Sequence, residues 1–186
     1  MKRDAAIPTL RSDRIALRAL REDDTPALAK LHSDAEVVRF LGAGRPEPSL
    51  GKAWDYIALH TGHWAMKGCG KWALTEASSD ELIGRVGYID CPFEWPGLEL
   101  GWTIAREHWG KGYASEAARL ALDWGFKTLD RNEIISIIHP DNTRSARVAD
   151  RLGERLVRSW TAPSGVALGV YAITRDEWHA ARATRP

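Results

Sequence analysis

Glu99-Leu100-Gly101-Trp102-Thr103-Ile104-Ala105-Arg106-Glu107-His108-Trp109-Gly110-Lys111-Gly112-Tyr113-Ala114-Ser115-Glu116-Ala117 is the stretch that decides how this chain is read. It runs strand, glycine-containing turn, helix. After the turn, Ala114, Ala118, Ala121, Leu122, Gly125 and Leu129 recur at helical spacing, the clearest helix in the sequence. The first amides of a helix have no internal partners and sit at the positive end of its dipole. Glycines just ahead of them let an anion come close, so the stretch describes a phosphate site, to which Lys111 could add a charge. It is neither of two common phosphate motifs. Gly110-Lys111-Gly112-Tyr113-Ala114-Ser115 lacks the third glycine of a dinucleotide fingerprint, and neither Gly70-Lys71 nor Gly110-Lys111 is followed by the Ser or Thr of a P-loop.

Outward from this stretch the elements fall into order. Ile15, Leu17 and Ala19 alternate with Arg14, Ala16 and Arg18 at strand period. Glu22-Asp23-Asp24-Thr25-Pro26 opens a helix, and a second short one is expected from Ser33 to about Leu41. A third helix is expected from Lys52 to Lys67. Strands follow at Lys71–Glu76, Leu82–Asp90 and Leu98–Ala105. Beyond the long helix, Ile134-Ile135-Ser136-Ile137-Ile138 reads as a buried strand and Thr143–Leu152 as a helix stopped at Gly153. Two late strands are expected near Leu156–Thr161 and Val166–Ile173, then a helix with Thr174 and Glu177 at capping-box spacing. This order implies an α/β fold, a mixed and mostly antiparallel central sheet flanked by helices, in one domain spanning 1–186.

Composition narrows the function. Twenty-six Lys plus Arg against 25 Asp plus Glu leave a net charge of +1, which removes the case for a dedicated nucleic-acid binder or a basic membrane-surface protein. Hydrophobic residues at 44% and charged residues at 27% describe a globular chain, long enough to bury roughly 70% of its unfolded surface. No stretch approaches the ~20 apolar residues of a membrane span. The opening Met1-Lys2-Arg3-Asp4-Ala5-Ala6-Ile7-Pro8 lacks a signal peptide's apolar run, so a cytoplasmic protein is expected. Cys69 and Cys91 form no C-x-x-C pair and are simplest as free thiols. His60 and His63 lie three apart with no third ligand at a suitable spacing, so no metal is expected. Nine tryptophans permit a pocket lining or a dimer interface as well as a core.

Trp109-Gly110-Lys111-Gly112-Tyr113-Ala114-Ser115-Glu116-Ala117 resembles the acetyl-CoA pyrophosphate loop of the GNAT superfamily of N-acetyltransferases. More narrowly it is similar to the RimJ/RimL branch, which acetylates protein N-termini and related amines. The likeness extends to Thr9–Arg18, Asp34–Gly42, Ile83–Tyr88 and Asn142-Thr143-Arg144-Ser145. It implies a GNAT-like acyl-CoA N-acyltransferase fold, acetyl-CoA as cosubstrate and an amine acceptor, either a peptide N-terminus or a small molecule. It also implies that main-chain groups of Trp109, Gly110, Lys111, Gly112, Tyr113, Ala114 and Ser115 hold the pyrophosphate. Trp102, Thr103 and Ile104 would pair with the pantetheine arm as an added strand would. Asn142 and Ser145 would orient that arm, Ser145 hydrogen-bonding the departing thiolate. Trp109 replaces the general loop's Gln or Arg, as is common in this branch; the departures are Arg106, where the branch often has proline, and Glu154, which follows Leu152-Gly153 where an apolar residue is usual.

Transfer from a thioester to an amine needs a neutral amine, a donor for the developing oxyanion and a proton or hydrogen bond for the thiolate. An α-amine, with a reference pKa near 8, is easier to deprotonate than a lysine near 10.4. A strand N–H near Trp102 or Thr103 is the candidate oxyanion donor. Glu99 is the candidate base; it reads equally as an outward carboxylate paired with an arginine. Glu94 and Glu107 lie in loop-like sequence and are weaker. Asn142 and Ser145 read also as an ordinary helix cap. No Cys or Ser–His pair suggests an acyl-enzyme, so direct attack in a ternary complex is expected. Ser33–Trp64 and Trp160–Gly165, carrying Phe40, Trp54, Tyr56, Trp64 and Trp160, are expected to flank the acceptor. Two other readings remain: a non-catalytic acyl-CoA-binding or sensor domain, and an interaction protein with a tryptophan-rich surface.

Overall fold

The computed structural model describes residues 6–183; residues 1–5, where the opening segment begins, and 184–186 lie outside the described residues. The chain forms β1 (Leu10–Arg11), β2 (Ile15–Arg18), α1 (Thr25–Ser33), α2 (Ala35–Val38), α3 (Leu50–Lys67), β3 (Lys71–Glu76), β4 (Leu82–Ile89) and β5 (Glu99–Ile104). It continues with α4 (Tyr113–Thr128), β6 (Glu133–Ile138), α5 (Thr143–Leu152), β7 (Arg155–Thr161), β8 (Ala167–Thr174) and α6 (Arg175–Ala183). The strands make one eight-stranded sheet in the order β1-β2-β3-β4-β5-β6-β8-β7. Every neighbouring pair is antiparallel except β5 and β6, so the mixed, mostly antiparallel sheet flanked by helices is the observed architecture.

Two apolar layers cover the sheet. On one face Val86, Tyr88, Leu98, Leu100 and Ile134 pack against Ala117, Ala118, Ala121, Leu122 and Phe126 of α4. The small residues of α4 let the helix lie close: a side chain on Gly125 would overlap the Tyr88 hydroxyl, which donates to Ala121 O at 2.7 Å. Trp64, Trp72 and Trp124 meet edge-on in this layer at centroid separations of 4.8–5.4 Å. On the other face Ala73 and Leu82 meet Leu28, Ala29 and Leu31 of α1 and Ala53 and Ile57 of α3. A small cluster of Ile135, Val170 and Ala172 lies against Trp160.

Local chemistry sets the ends of the elements. α3 stops at Gly68 in left-handed conformation, and α4 follows Gly112, also left-handed at φ +83°. At the last helix Thr174 and Glu177 cap each other: Glu177 Oε2 accepts from Thr174 N at 2.9 Å, and Glu177 N donates to Thr174 Oγ1 at 3.3 Å.

Two expectations need correction. The alternation in Ile15–Arg18 predicts one solvated face, yet all four residues are buried. Arg18 is tucked in because Asp24 takes it through two hydrogen bonds of 2.8 and 2.7 Å and Asp80 through a third at 2.8 Å. The second helix is also shorter than Ser33 to Leu41. α1 runs through Ser33, Asp34 turns extended and accepts from Glu36 N at 2.9 Å, and the new helix ends at Val38.

Candidate functional site

β5 and β6 run side by side for one register pair, Glu99 with Ile135, and then part. Ile135 N–H reaches Leu98 O at 3.0 Å. Main-chain groups alternate sides along a strand, so those of Leu100, Trp102 and Ile104 also face β6. Leu100 O is taken by the Ser136 hydroxyl at 2.9 Å, and Ile104 O by the Trp109 indole N–H at 2.8 Å. Between them the N–H and C=O of Trp102 and the N–H of Ile104 look into the gap with no ladder partner on β6 among the described residues. Thr103 is turned the other way, in register with Arg85 of β4, so of the two candidate oxyanion donors only Trp102 N–H faces the opening.

The gap opens onto the start of α4. A cavity of about 380 Å³ is lined here by Trp102, Thr103, Ile104, Trp109, Gly110, Gly112, Tyr113, Ala114 and Ser115. Asn142 and Ser145 of α5 close it from the other side. The sequence-predicted cofactor residues are therefore brought together, with one exception. The Lys111 side chain points outward, 3.7 Å from Glu76 and 3.3 Å from His108, and does not line the cavity. It braces the loop instead, with Tyr113 donating to the same Glu76 at 2.8 Å; that hydrogen bond, more than Lys111, holds the Glu76 carboxyl below its usual range. Arg14 clamps the turn from outside, donating to Lys111 O at 3.1 Å and pairing with Glu116. The Ser115 hydroxyl is buried at the cavity with no partner among the described residues.

Cation comes from residues to which the sequence reading gave no role. Arg144, Arg147 and Arg151 of α5 all line the cavity, and the Arg144 guanidinium stacks 3.7 Å from the centre of the Trp109 ring. Their three- and four-residue spacing on one helix face was the available signal. Asn142 caps α5, accepting from Ser145 N at 3.2 Å. Phe40 and Leu41 lie at the cavity's far end, with Phe40 5.1 Å from His139.

Glu99 does not line that cavity; it sits at the base of the gap on the face carrying α3. Neither Arg nor Lys forms an ion pair with it among the described residues, which removes the arginine-paired reading. Its Oε2 accepts from the Trp95 indole at 3.0 Å, and Trp95 packs on Trp160 at 5.2 Å. Burial pushes the Glu99 pKa up; Lys71, Trp95 and Arg85 oppose it in that order. Lys71 lies across two glycines in the same row of the sheet, Gly87 and Gly101, donating to their carbonyls at 2.7 and 3.4 Å. Only glycines leave that trough: a Cβ on Gly101 would meet Lys71 Nζ at 3.0 Å and Glu99 Oε1 at 3.4 Å. Desolvation lowers the Lys71 pKa to about 8. Tyr56 of α3 takes a hydrogen bond from Arg85 at 2.7 Å, and burial pushes its phenol up to about 12. His60 is held neutral by burial, then by Lys71 and Arg85. His63 is structural, its Nδ1 donating to Cys69 O at 2.6 Å and its Nε2 accepting from Asp90 N at 3.0 Å. Of the aromatics expected at the acceptor side, Tyr56 and Trp160 are near Glu99, Trp64 is core and Trp54 is exposed. Cys69 is buried and Cys91 half-buried, both free thiols.

A parallel strand pair parted in front of a glycine-led helix, with an anion-ready turn on one side and a half-buried carboxylate on the other, defines an acyl-transfer scaffold. Residues 14–155 match the family described as "Acetyltransferase (GNAT) domain". The chain belongs to this family and is an N-acetyltransferase. It is 30% identical over 169 residues to the uncharacterized N-acetyltransferase p20 of Bacillus licheniformis, covering 89% of this chain and 94% of that one. It is also 30% identical over 191 residues to the FsC-acetyl coenzyme A-N(2)-transacetylase of Aspergillus fumigatus, covering 93% and 79%. The crystal structure of an acetyltransferase from Agrobacterium tumefaciens superposes with a TM-score of 0.78 at 32% identity, over 93% of this chain and 98% of that one. Among the described residues no helix is long and apolar enough to cross a membrane.

Proposed function

We propose that this chain transfers acetyl from acetyl-CoA to a primary amine, by direct attack in a ternary complex, in the manner of the RimJ/RimL-like branch. The parting of β5 from β6 toward the first turn of α4 carries the reading. The residues present fit the cosubstrate: unpaired strand groups for an extended amide-bearing arm, and the buried, partnerless Ser115 hydroxyl beside free helix amides for its phosphates. Acetyl-CoA supplies an activated acyl group; the chain supplies position and charge.

The amides of Tyr113, Ala114 and Ser115 hold the pyrophosphate, and Arg144, Arg147 and Arg151 add charge that Lys111 does not bring. Trp102 and Ile104 bind the arm as a third strand between β5 and β6. Trp102 N–H donates to the oxygen on which negative charge develops. Ser145, in the first turn of α5, donates to the departing sulfur. Glu99 takes the amine's proton from the opposite face, kept ionised by Lys71 against its own burial. The acceptor is a peptide N-terminus or a small amine. An α-amine needs less help to lose its proton than a lysine does, and the Aspergillus relative's name points to transfer onto an N(2) nitrogen.

The test is thiol release from acetyl-CoA with a panel of N-terminal peptides and small amines. Glu99→Gln is expected to lower kcat by roughly 10²–10⁴-fold, the usual worth of a positioned base, with KM for acetyl-CoA little changed. An unchanged kcat removes Glu99 from the mechanism. Coenzyme binding without turnover across the panel returns the chain to the sensor reading.

A further inference from the structure

One buried acid has no part in the chemistry above. Glu154, between α5 and β7, is 3% exposed, and Ser136 of β6 is 2% exposed. Their side chains meet at 3.0 Å, while the same Ser136 oxygen is 2.9 Å from Leu100 O. Glu154 Oε2 is buried with no hydrogen-bond partner among the described residues. The position of this triad matters. After Ile135 N–H has bonded Leu98 O, a continuing parallel ladder would bring Ile137 N–H to Leu100 O. The strands have parted by then, and the Ser136 hydroxyl takes that donor's place.

Proton counting fixes the state of the acid. A serine hydroxyl carries one proton, and a carbonyl only accepts. With that proton given to Leu100 O, the contact between Ser136 and Glu154 is a hydrogen bond only if the carboxyl donates it. As a carboxylate, Glu154 would draw the hydroxyl to itself and leave Leu100 O unpaired in the interior. We propose that Glu154, held as a neutral acid, is a positioning residue: through Ser136 it fixes Leu100 O where β5 leaves β6, and so sets the mouth of the slot whose next donor is Trp102 N–H. The proposal rests on the reading that the coenzyme arm lies along Trp102–Ile104.

The surroundings agree. Burial raises the Glu154 pKa to about 8, opposed by Ser136. From β4 the Tyr88 phenol faces it and senses its charge, but that hydroxyl is already donated to Ala121 O. Arg119 of α4 reaches Arg151 O on α5 at 3.2 Å. Arg155, next in the chain on β7, is exposed, and Tyr171 of β8 is in register with Ser136. No cation forms an ion pair with Glu154 among the described residues. The sign follows: the latch is closed below pH about 8 and opens as pH rises through it.

Three proteins test this: wild type, Glu154→Gln, whose amide N–H can still donate to Ser136, and Glu154→Leu, which cannot donate. Infrared difference spectra of wild type against Glu154→Gln read the acid directly. A carboxylic-acid carbonyl band is expected at pH 7, fading above pH 8. Its absence at pH 7 overturns the proposal. CoA binding is then measured by calorimetry at pH 6.5 and 9.5. Relative to Glu154→Gln, wild-type affinity is expected to fall on the order of tenfold at the higher pH, the worth of one unpaired buried carbonyl. Glu154→Leu, if folded, leaves the Ser136 hydroxyl free to serve Leu100 O at both pH values and is expected, like Glu154→Gln, to lack the loss at pH 9.5. Parallel pH slopes in wild type and Glu154→Gln overturn the positioning role and leave the proposed function intact. A wild type that binds no CoA at either pH overturns both.

Discussion

Replacing Lys71 by methionine separates the charge of this residue from its bulk. The ammonium and the Glu99 carboxylate approach the empty Gly101 side-chain position from two sides, 3.0 and 3.4 Å from it, without forming an ion pair. The two atoms are therefore at most about 6.4 Å apart; at an effective dielectric constant of about 20 their attraction at that limit is about 3 kcal/mol. The sign is definite: the cation favours the ionised base, so its removal raises the Glu99 pKa. The acid limb of the kcat/KM profile should move to higher pH in Lys71→Met, with Trp95 and Arg85 still opposing the shift. Well below that limb the variant should be some 10- to 100-fold slower than wild type, and above it nearly equal. The assay is thiol release at subsaturating acceptor across the pH range, with Glu99→Gln as the control in which this limb should vanish. An acid limb that stays in place in Lys71→Met, while still vanishing in Glu99→Gln, would refute the electrostatic link between the two side chains.

Two further outcomes follow from the same structure. Gly112→Glu should abolish detectable CoA binding by calorimetry, because φ is +83° there and a carboxylate would enter an anion site; retained tight binding would count against the loop assignment. Asp24→Ala should cost about 3–5 kcal/mol in urea unfolding by stranding the Arg18 guanidinium, both side chains being at most 10% exposed; a loss under about 1 kcal/mol would show that Asp80 alone satisfies Arg18.

Most of the fold was legible because its signals are local. The period of α4, the apolar run of β6 and the Thr174–Glu177 spacing each name an element without tertiary information, and each is found within a residue or two. The two-residue β1 was missed because it is a strand only by virtue of β2 beside it. Arg18 looked like an outward residue because nothing near it in sequence announces that Asp80 closes over it. At the site, the glycine turn and its helix were readable since their chemistry is carried by the main chain, which follows from local conformation. Lys111 misled for the opposite reason: a long side chain goes where its partners are, and Glu76, 35 positions earlier, is invisible from the motif. The trough of Gly87 and Gly101 under Lys71 needs the register of three strands before it means anything. Glu154 could be noticed in the sequence only as an oddity after Gly153; its role depends on a hydroxyl 18 residues away.

The tryptophans have a practical consequence. Trp64, Trp72 and Trp124 touch edge to edge in the closed core, with Tyr88 at 6.0 Å from Trp124. Excitation absorbed by any of them passes readily among the three, so their emission behaves as one shared chromophore sensitive to the integrity of the interior. Trp102 and Trp109 line the cavity at the edge of the same apolar layer, the second already under the Arg144 cation. Light absorbed in the interior is thus shared with a layer whose outer edge is the cavity wall, so the glow of the folded chain should answer to what enters there.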